Sequence, residues 1–197
     1  MKILKLKKIN NLFFNIDNLA SAFGISKASA VVTASRYADA GLIIRLKQNL
    51  YVTREKWENF NISYFFKLAN ILQVPSYISM MTALSFYQIT TQIQQSFIES
   101  IAIKRTKTVQ IEKTTFTYSK IKPELYCGFV RDQDIFIARP EKAFLDALYF
   151  KLIGRYQFDI HSIDFSRLDT KIMFEIAKSY PMKIQKMVDK NDYLGAA

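Results

Sequence analysis

The chain has 197 residues, of which 50% are hydrophobic and 23% are charged, a balance typical of a folded globular protein. Its single cysteine excludes a disulfide framework, and its single histidine excludes a zinc site built from the usual Cys and His ligands. The formal net charge of +11 favours a polyanionic partner, such as nucleic acid or an acidic protein surface.

Most of the excess charge lies in the first quarter of the chain, which begins with helical patterns. Residues 1–56 contain ten basic residues and three acidic ones, a net charge of +7. An opening helix is predicted by apolar residues at helical spacing, namely Ile3, Leu6, Ile9 and Phe13. A second, short helix is predicted between a cap at Asn15 or Asp17 and an end at Gly24.

A third helix and a hairpin complete the pattern. Ser26 is placed to cap a helix that ends at Gly41, and short strands at 42–45 and 50–53 flank a polar turn. Three helices followed by such a wing predict a winged helix-turn-helix, whose third helix usually enters the DNA major groove. Modules of this kind also pack against proteins, and lysine-rich faces are often only solvated. The positive charge, the order of the helices and the wing together favour DNA binding over these alternatives.

The third helix has one face for the core and one for DNA. At 100° per residue, the residues predicted to face the core are Ala30, Val31, Ala34, Ala38 and Leu42. The residues predicted to contact DNA are Ser26, Lys27, Ser29, Val32, Thr33 and Arg36 on the helix and Lys47, Gln48 and Asn49 on the wing. Arg36 is the principal candidate for reading bases, because a bidentate contact with guanine contributes about 1 to 3 kcal/mol of discrimination.

Beyond residue 57 aromatic residues become more frequent and basic ones fewer, which predicts two domains, 1–57 and 58–197. Helices are predicted from Asn61 or Ser63 to Leu72, from Ser79 to about Tyr87, from Pro140 to Gly154, and over residues 170–179. Strand patterns occur at 97–103, 114–118, 126–130 and 135–138. These elements predict an α+β protein, a winged helix-turn-helix followed by a mixed domain of helices and a small, mainly antiparallel sheet.

One uncharged stretch is long enough to raise the question of a membrane span. Residues 68–98 carry no charge over 31 residues, more than the roughly 20 that cross a bilayer. Pro75 and several glutamines would be costly in hydrocarbon, so core helices and a polar loop at 92–96 are predicted instead. The first eight residues lack the apolar core of a signal peptide. A cytoplasmic protein without a membrane partner is predicted.

Residues suited to catalysis are few and scattered. His161 has no nucleophile and acid at a recognisable spacing, and Cys127 is predicted to be a small core residue in a strand. Asp132 and Asp134 fit a hairpin turn better than a metal-binding pair, because no Gly-Ser loop precedes them. No glycine-rich phosphate loop occurs. The sequence therefore predicts a protein that is not an enzyme and that uses no metal or other cofactor.

Three stretches carry a resemblance to a known family. They are Gly41-Leu42 leading through Arg45 to Leu50-Tyr51-Val52, then Pro75-Ser76-Tyr77-Ile78-Ser79 with Ala83-Leu84, and then Ile137-Ala138-Arg139-Pro140-Glu141-Lys142-Ala143 with Leu145-Asp146 and Tyr149. In these the chain resembles the abortive-infection antitoxins (AbiEi type), the regulator half of type IV toxin-antitoxin pairs. Gln48-Asn49 replaces the glycine usual in the family's wing turn, and asparagine tolerates the left-handed conformation needed there.

The resemblance implies a repressor that binds inverted repeats in its own promoter, with self-association of two copies on the DNA. It also implies that the second domain counteracts a co-expressed nucleotidyltransferase-like toxin, without requiring a stable complex. Arg139, Glu141, Lys142 and Asp146 then have two interpretations, either a structural motif with an i,i+4 ion pair or a toxin-counteracting surface.

Two other functions remain open at the level of sequence. A winged-helix regulator whose second domain binds an effector would need a polar pocket that sequence cannot reveal. A metal-dependent nuclease or transferase would need more placed acids and histidines than the chain offers.

Overall fold

The computed structural model describes residues 6–92 and 95–190, and the chain forms two compact units, residues 1–62 and 63–197. The division lies beyond the predicted boundary at residue 57. The reason is that Phe60, which the composition assigns to the second domain, belongs with Trp57 to the first. Their rings lie 5.1 Å apart, and Phe60 also contacts Phe13 at 6.0 Å.

The first unit contains the second and third predicted helices and the predicted hairpin. Its elements are α1 (Ile16–Phe23), α2 (Lys27–Asp39), β1 (Ile43–Lys47), β2 (Leu50–Thr53) and α3 (Arg54–Glu58). Asn15 caps α1 through a reciprocal pair of hydrogen bonds with Asn18, and Gly24 ends the helix at a φ of 65°. Strands β1 and β2 pair antiparallel. This order of helices and strands is compatible with a winged helix.

The predicted opening helix does not extend to Ile9 and Phe13, although Leu6 is helical. Residues 1–5, which include Ile3, lie outside the described residues, and residues 7–13 form turns and irregular backbone. Phe14 then lies beside β2, where its N–H and C=O exchange hydrogen bonds of 2.9 Å with Tyr51. Leu6 and Ile9 are buried in the core of this unit as their spacing predicts.

The second unit is built on one mixed sheet of six strands. They are β3 (Ser76–Ile78), β4 (Phe97–Ala102), β5 (Lys107–Ile111), β6 (Thr114–Lys120), β7 (Phe129–Asp132) and β8 (Ile135–Ala138), in the spatial order β5-β6-β4-β3-β8-β7. Three neighbouring pairs are antiparallel, whereas β3 with β8 and β4 with β6 are parallel. The α+β class is confirmed, but the sheet is larger and more mixed than predicted.

The helices of the second unit largely match the predicted ones. They are α4 (Ile62–Leu72), α5 (Met80–Phe86), α6 (Pro140–Leu152), α7 (Thr170–Ala177) and α8 (Met182–Asp189). The sequence did not predict α8, whose buried Ile184 and Val188 are four residues apart. Of the loop predicted at 92–96, residues 93–94 lie outside the described residues. No helix in the described part of the chain is long and apolar enough to cross a membrane.

A carboxylate lies buried at the centre of this sheet. Glu99 on β4 is 1% exposed, and its Oε2 accepts a hydrogen bond of 3.0 Å from the backbone N–H of Thr82. Its Oε1 accepts one of 2.6 Å from the hydroxyl of Tyr156. Burial raises the pKa of Glu99 above its ordinary value of 4.5, and the hydrogen bonds from Tyr156 and Thr82 offset only part of this rise.

Glu99→Gln is expected to remove a pH-dependent loss of stability. Because the folded state binds the proton more tightly than the unfolded state, the contribution of Glu99 to stability is greatest below the unfolded pKa and falls as the pH rises through the folded one. The difference in unfolding free energy between parent and variant should change by about 1.4 kcal/mol per pH unit between the two pKa values. Urea unfolding of both proteins from pH 4 to 8 measures it. A difference independent of pH would contradict the raised pKa of this carboxylate.

Candidate nucleic-acid interface

Helix α2 is held by its buried side and offers the opposite side to solvent. The Oγ of Ser26 accepts the Ser29 N–H at 3.2 Å and so caps the first turn. Ala30 and Ala34 are fully buried, and the Tyr37 ring packs against Phe23 with centroids 5.8 Å apart. This spacing of i, i+4 and i+7 fixes the rotation of the helix about its axis.

The inward face differs from the predicted one at two residues. Val31, predicted to be buried, is 53% exposed, and Tyr37, absent from the prediction, is 8% exposed. The small Ala30 and Ala34 allow α1 to approach closely, so the contact centres on them and turns Val31 outward. Ala38 and Leu42 are half-buried at the edge of this contact.

The outward face of α2 carries most of the residues predicted to contact DNA. Ser29, Val32 and Arg36 are exposed, whereas Thr33 is half-buried. The hydroxyl of Thr33 donates to the Ser29 carbonyl at 2.8 Å, and the Ser26 hydroxyl donates to that of Ser29 at 2.9 Å. The guanidinium of Arg36 has no hydrogen-bond or ion-pair partner among residues 6–92 and 95–190. Arg36 is therefore the group of this face best able to read a base edge.

Lys27, predicted to meet a phosphate, forms an ion pair with Asp17 of α1. The Nζ lies 2.8 Å from the carboxylate, and both side chains are more than half exposed. An exposed pair of this kind contributes little to stability, so a phosphate can compete for the ammonium group at small cost. The position of Lys27 in the first turn of α2, beside the cap at Ser26, suits an anion.

The hairpin presents its cations by strand alternation. Ile44 and Leu46 of β1 are buried, while Arg45 and Lys47 are exposed on the outward face. Gln48 and Asn49 form the turn. Arg45 was not among the predicted contacts, although the alternation of 43–47 was a usable signal, because a residue between two buried neighbours in a strand must face outward.

Asn49 has a structural role that its assignment as a DNA contact did not include. Its φ of 54° is left-handed, as expected for an asparagine that replaces glycine in the turn. Its Oδ1 accepts a hydrogen bond of 2.9 Å from the Ile16 N–H at the start of α1. The side chain thus satisfies one free N–H of that helix and fixes the hairpin turn against it.

A cleft of about 280 Å³ brings helix and hairpin together. Lys27 and Val31 of α2 line one side, and Arg45, Gln48 and Asn49 line the other. Ile16 and Tyr51 complete the lining, and the two charged residues among the seven, Lys27 and Arg45, are both cations. This arrangement suits a phosphodiester backbone that passes between the helix and the wing.

Two further cations of the segment support the fold. Lys56 donates to the carbonyls of Ile9 and Asn11, each at 2.7 Å, and burial lowers its pKa. The Nε of Arg54 donates to the Gly41 carbonyl at 3.2 Å. The net charge of +7 over residues 1–56 therefore overstates the positive charge that a ligand can contact. The outward-facing cations of α2 and β1 matter more for binding.

The residues of the second predicted site, Arg139 to Asp146, differ in their exposure to solvent. Arg139 precedes α6 and is exposed, whereas Glu141 is 5% exposed and Lys142 and Asp146 are fully buried. The carboxylate of Glu141 accepts the Asp169 N–H at 2.9 Å, next to the start of α7. Of the two interpretations of this motif, the geometry of Glu141, Lys142 and Asp146 supports the structural one.

Lys142 and Asp146 form the centre of a buried polar cluster. The Lys142 Nζ lies 2.7 Å from Asp146 Oδ1 and donates to the Leu125 carbonyl at 2.8 Å and to the Tyr180 hydroxyl. Asp146 accepts from Tyr180 at 2.6 Å, from Tyr77 at 3.0 Å and from Ser79 at 2.7 Å. Every donor of the ammonium group and both carboxylate oxygens are used.

The aliphatic stem of Lys142 is also enclosed. A Cβ at Gly128 would lie 3.1 to 3.2 Å from its stem carbons, and Gly128 has a φ of 71°. Burial and the nearby Asp146 raise the pKa of Tyr77 and Tyr180 well above the ordinary tyrosine value, so both hydroxyls stay protonated and keep donating.

The cluster unites two of the stretches that carry the family resemblance. Tyr77 of β3 and Ser79, just after that strand, come from the stretch 75–79, and Lys142 and Asp146 of α6 come from the stretch that begins at Ile137. Tyr180, which completes the cluster, lies beyond both. These stretches therefore meet inside the second unit at one structural feature.

The residues considered for catalysis stay apart in the fold. His161 is exposed, and Asp134 accepts a hydrogen bond from Arg131 in the turn between β7 and β8. Cys127 is half-buried and precedes β7, so its predicted strand position is wrong. The described ranges contain no group of three or more His, Cys, Asp or Glu residues that could hold a metal ion.

Comparison with known proteins adds no assignment. No protein-family model matches the chain, and no curated protein matches it significantly.

Proposed function

We propose that residues 1–62 are a winged helix-turn-helix that binds double-stranded promoter DNA, with α2 in the major groove and the hairpin along the backbone. The observation that carries the proposal is the outward face of α2, where Ser29, Val32 and an unpaired Arg36 are exposed, together with the exposed Arg45 and Lys47 of the hairpin. Bases would be read by Arg36, and phosphates would be bound by Lys27, Arg45 and Lys47.

We further propose that the chain is the antitoxin of a type IV toxin-antitoxin pair, which represses its own promoter at inverted repeats and counteracts a nucleotidyltransferase-like toxin. This step rests on the resemblance in the three stretches quoted above. The meeting of two of them in one buried cluster supports it, because it gives those residues a shared role in forming the second unit. Arg139, the exposed member of its motif, is the one best placed to face a partner.

DNA binding is expected to depend steeply on salt. If about five phosphates are neutralised, the logarithm of the association constant should fall with the logarithm of salt concentration at a slope near −4.5. Fluorescence anisotropy with the DNA upstream of the gene, and with a scrambled duplex of equal length, measures both the slope and the preference. Binding that is independent of salt, or equal on both duplexes at every salt concentration, would contradict the proposal.

The antitoxin proposal predicts rescue of growth. Cells that express the reading frame adjacent to this gene should grow poorly, and co-expression of this chain should restore growth. The matched control is the Arg36→Ala variant, which lacks the proposed base contact. The neighbouring frame is expressed from an unrelated promoter, so that rescue by this variant reports neutralisation of the toxin and not repression of its promoter. A harmless neighbour, or toxicity that the chain does not relieve, would favour a winged-helix regulator with an effector-binding second unit.

A further inference from the structure

An open cleft of about 530 Å³ lies in the second unit, at one end of the sheet. Strands β4 and β6 run parallel and end there together, since Ala102 pairs with Lys120. The carboxyl end of α6 forms the other wall through Tyr149 and Ile153. The volume lies within the range of about 300 to 1,000 Å³ that small-molecule sites occupy.

The charged residues that line this cleft are all cations. They are Lys120 and Lys122 at the end of β6 and Arg155 after α6. Gly154, with a φ of 71°, reverses the chain so that the Arg155 N–H bonds the Phe150 carbonyl at 2.9 Å. Within the described ranges, the side chains of Lys120 and Arg155 have no hydrogen-bond or ion-pair partner. Lys122 has a distant one in Glu124, at 3.9 Å.

Further positive charge lies at the same end of the sheet as the cleft. Lys104 and Arg105 are exposed in the loop that follows β4, and Lys107 opens β5 opposite Tyr118 of β6. The register of the strands therefore places these three cations at the same end of the sheet. The carboxyl end of α6 carries a partial negative charge, which accounts for one cation such as Arg155. The remaining lysines supply more positive charge than is needed to balance the partial charge at this end of the helix.

The cleft also has apolar surface suited to a flat group. Pro123, the half-buried ring of Tyr149 and the 43%-exposed Ile153 line it beside the cations. Tyr149 is fixed from behind by the ring of Tyr180, with centroids 5.8 Å apart. A fixed aromatic ring next to several cations suits a ligand that combines a planar body with a phosphate.

We propose that this cleft binds a small phosphorylated ligand with a flat body, of which a nucleoside monophosphate is the simplest. Lys120, Lys122 and Arg155 bind the phosphate, and Tyr149 with Ile153 contacts the base. The site lies wholly within the second unit and does not depend on the DNA-binding proposal. The same chemistry is offered by a free nucleotide and by the 5′-phosphorylated end of a nucleic acid strand.

Calorimetric titration of the full chain with AMP, adenosine and inorganic phosphate tests the proposal. The Arg36→Ala variant serves as the parent, so that the proposed base contact of the first unit is absent. AMP is expected to bind more tightly than either fragment alone. Lys120→Ala combined with Arg155→Ala should weaken AMP binding by about tenfold or more, because two charged hydrogen-bond donors are lost. Lys113→Ala combined with Lys171→Ala removes equal charge elsewhere and should leave AMP binding unchanged.

A 5′-phosphorylated oligonucleotide distinguishes the two sources of the ligand. Binding of AMP alone assigns the cleft to a free nucleotide, and tighter binding of the phosphorylated oligonucleotide than of its unphosphorylated form assigns it to a strand end. No detectable AMP binding, or an equal loss in both double variants, would overturn the proposal, since the second result would mean that net charge and not the cleft holds the ligand.

Discussion

Replacement of Lys142 by methionine is expected to lower the free energy of unfolding by about 3 to 5 kcal/mol, the usual cost of removing one partner from a buried ion pair. The methionine fills similar space but leaves the carboxylate of Asp146, which is fully buried, without its cation. Three hydroxyls still donate to that carboxylate, so the remaining charge stays hydrogen-bonded but uncompensated. Urea unfolding followed by circular dichroism measures the loss.

A double-mutant cycle separates the ion pair from general damage to the core. Asp146→Leu alone should cost a similar amount, whereas Lys142→Met combined with Asp146→Leu should cost clearly less than the sum of the two. Recovery should be partial, because Tyr77, Ser79 and Tyr180 then lose their acceptor.

An exposed ion pair provides the matched control for the buried one. Lys178 and Glu175 lie 2.6 Å apart with side chains 67% and 70% exposed, and Lys178→Met should change stability by no more than about 0.5 kcal/mol. Equal effects of the Lys142 and Lys178 substitutions would refute the view that burial of the cluster makes it important for stability.

The sequence predicted the Lys142–Asp146 pair but not its environment. The i,i+4 spacing on a helix that begins at Pro140 indicates a contact between the two side chains, and this contact exists. Such pairs usually lie on a solvated face. The burial of this one depends on Tyr77, 69 residues from Asp146 in the chain, and on Tyr180, 34 residues from it. Contacts at such separations leave no periodic signal in the sequence.

The sheet of the second unit could also be predicted only in part. Strand β3 has three residues, all buried, so no alternation marks it, and β5 was missed although it alternates in part. Four of the six strands were predicted because each contains a run of β-branched or aromatic residues. Which strands pair in parallel depends on chain connections, and local pattern does not encode them.

The first unit was more predictable because local signals determine most of it. Caps at Asn15 and Ser26, the left-handed Gly24 and the turn at Asn49 lie where the residue types favour them. The rotation of α2 about its axis was harder to predict, because neighbouring alanines and valines do not show which apolar residues face the core. The packing of α2 against α1 determines this rotation.

Arg36→Ala is expected to abolish most sequence discrimination by the first unit while leaving binding to random DNA nearly intact. A bidentate contact with guanine accounts for about 1 to 3 kcal/mol, so the ratio of affinities for promoter and scrambled duplex should fall by roughly fivefold to 150-fold. Arg36 is exposed on α2, so its loss should not unfold the protein. Anisotropy titrations with both duplexes at one salt concentration give the ratio.

Lys47→Ala and Arg45→Ala are the matched comparisons, because both remove one exposed cation from the wing face of β1. Each should weaken binding to promoter and scrambled DNA alike and reduce the salt slope by about 1, which is the behaviour of a phosphate contact. The comparison of Arg36→Ala with the two hairpin variants tests the proposed docking directly. The helix α2 and the hairpin border one cleft but would contact different parts of the duplex. Equal losses on both duplexes for Arg36→Ala would show that α2 does not read bases, and the first unit would then be a backbone-binding module.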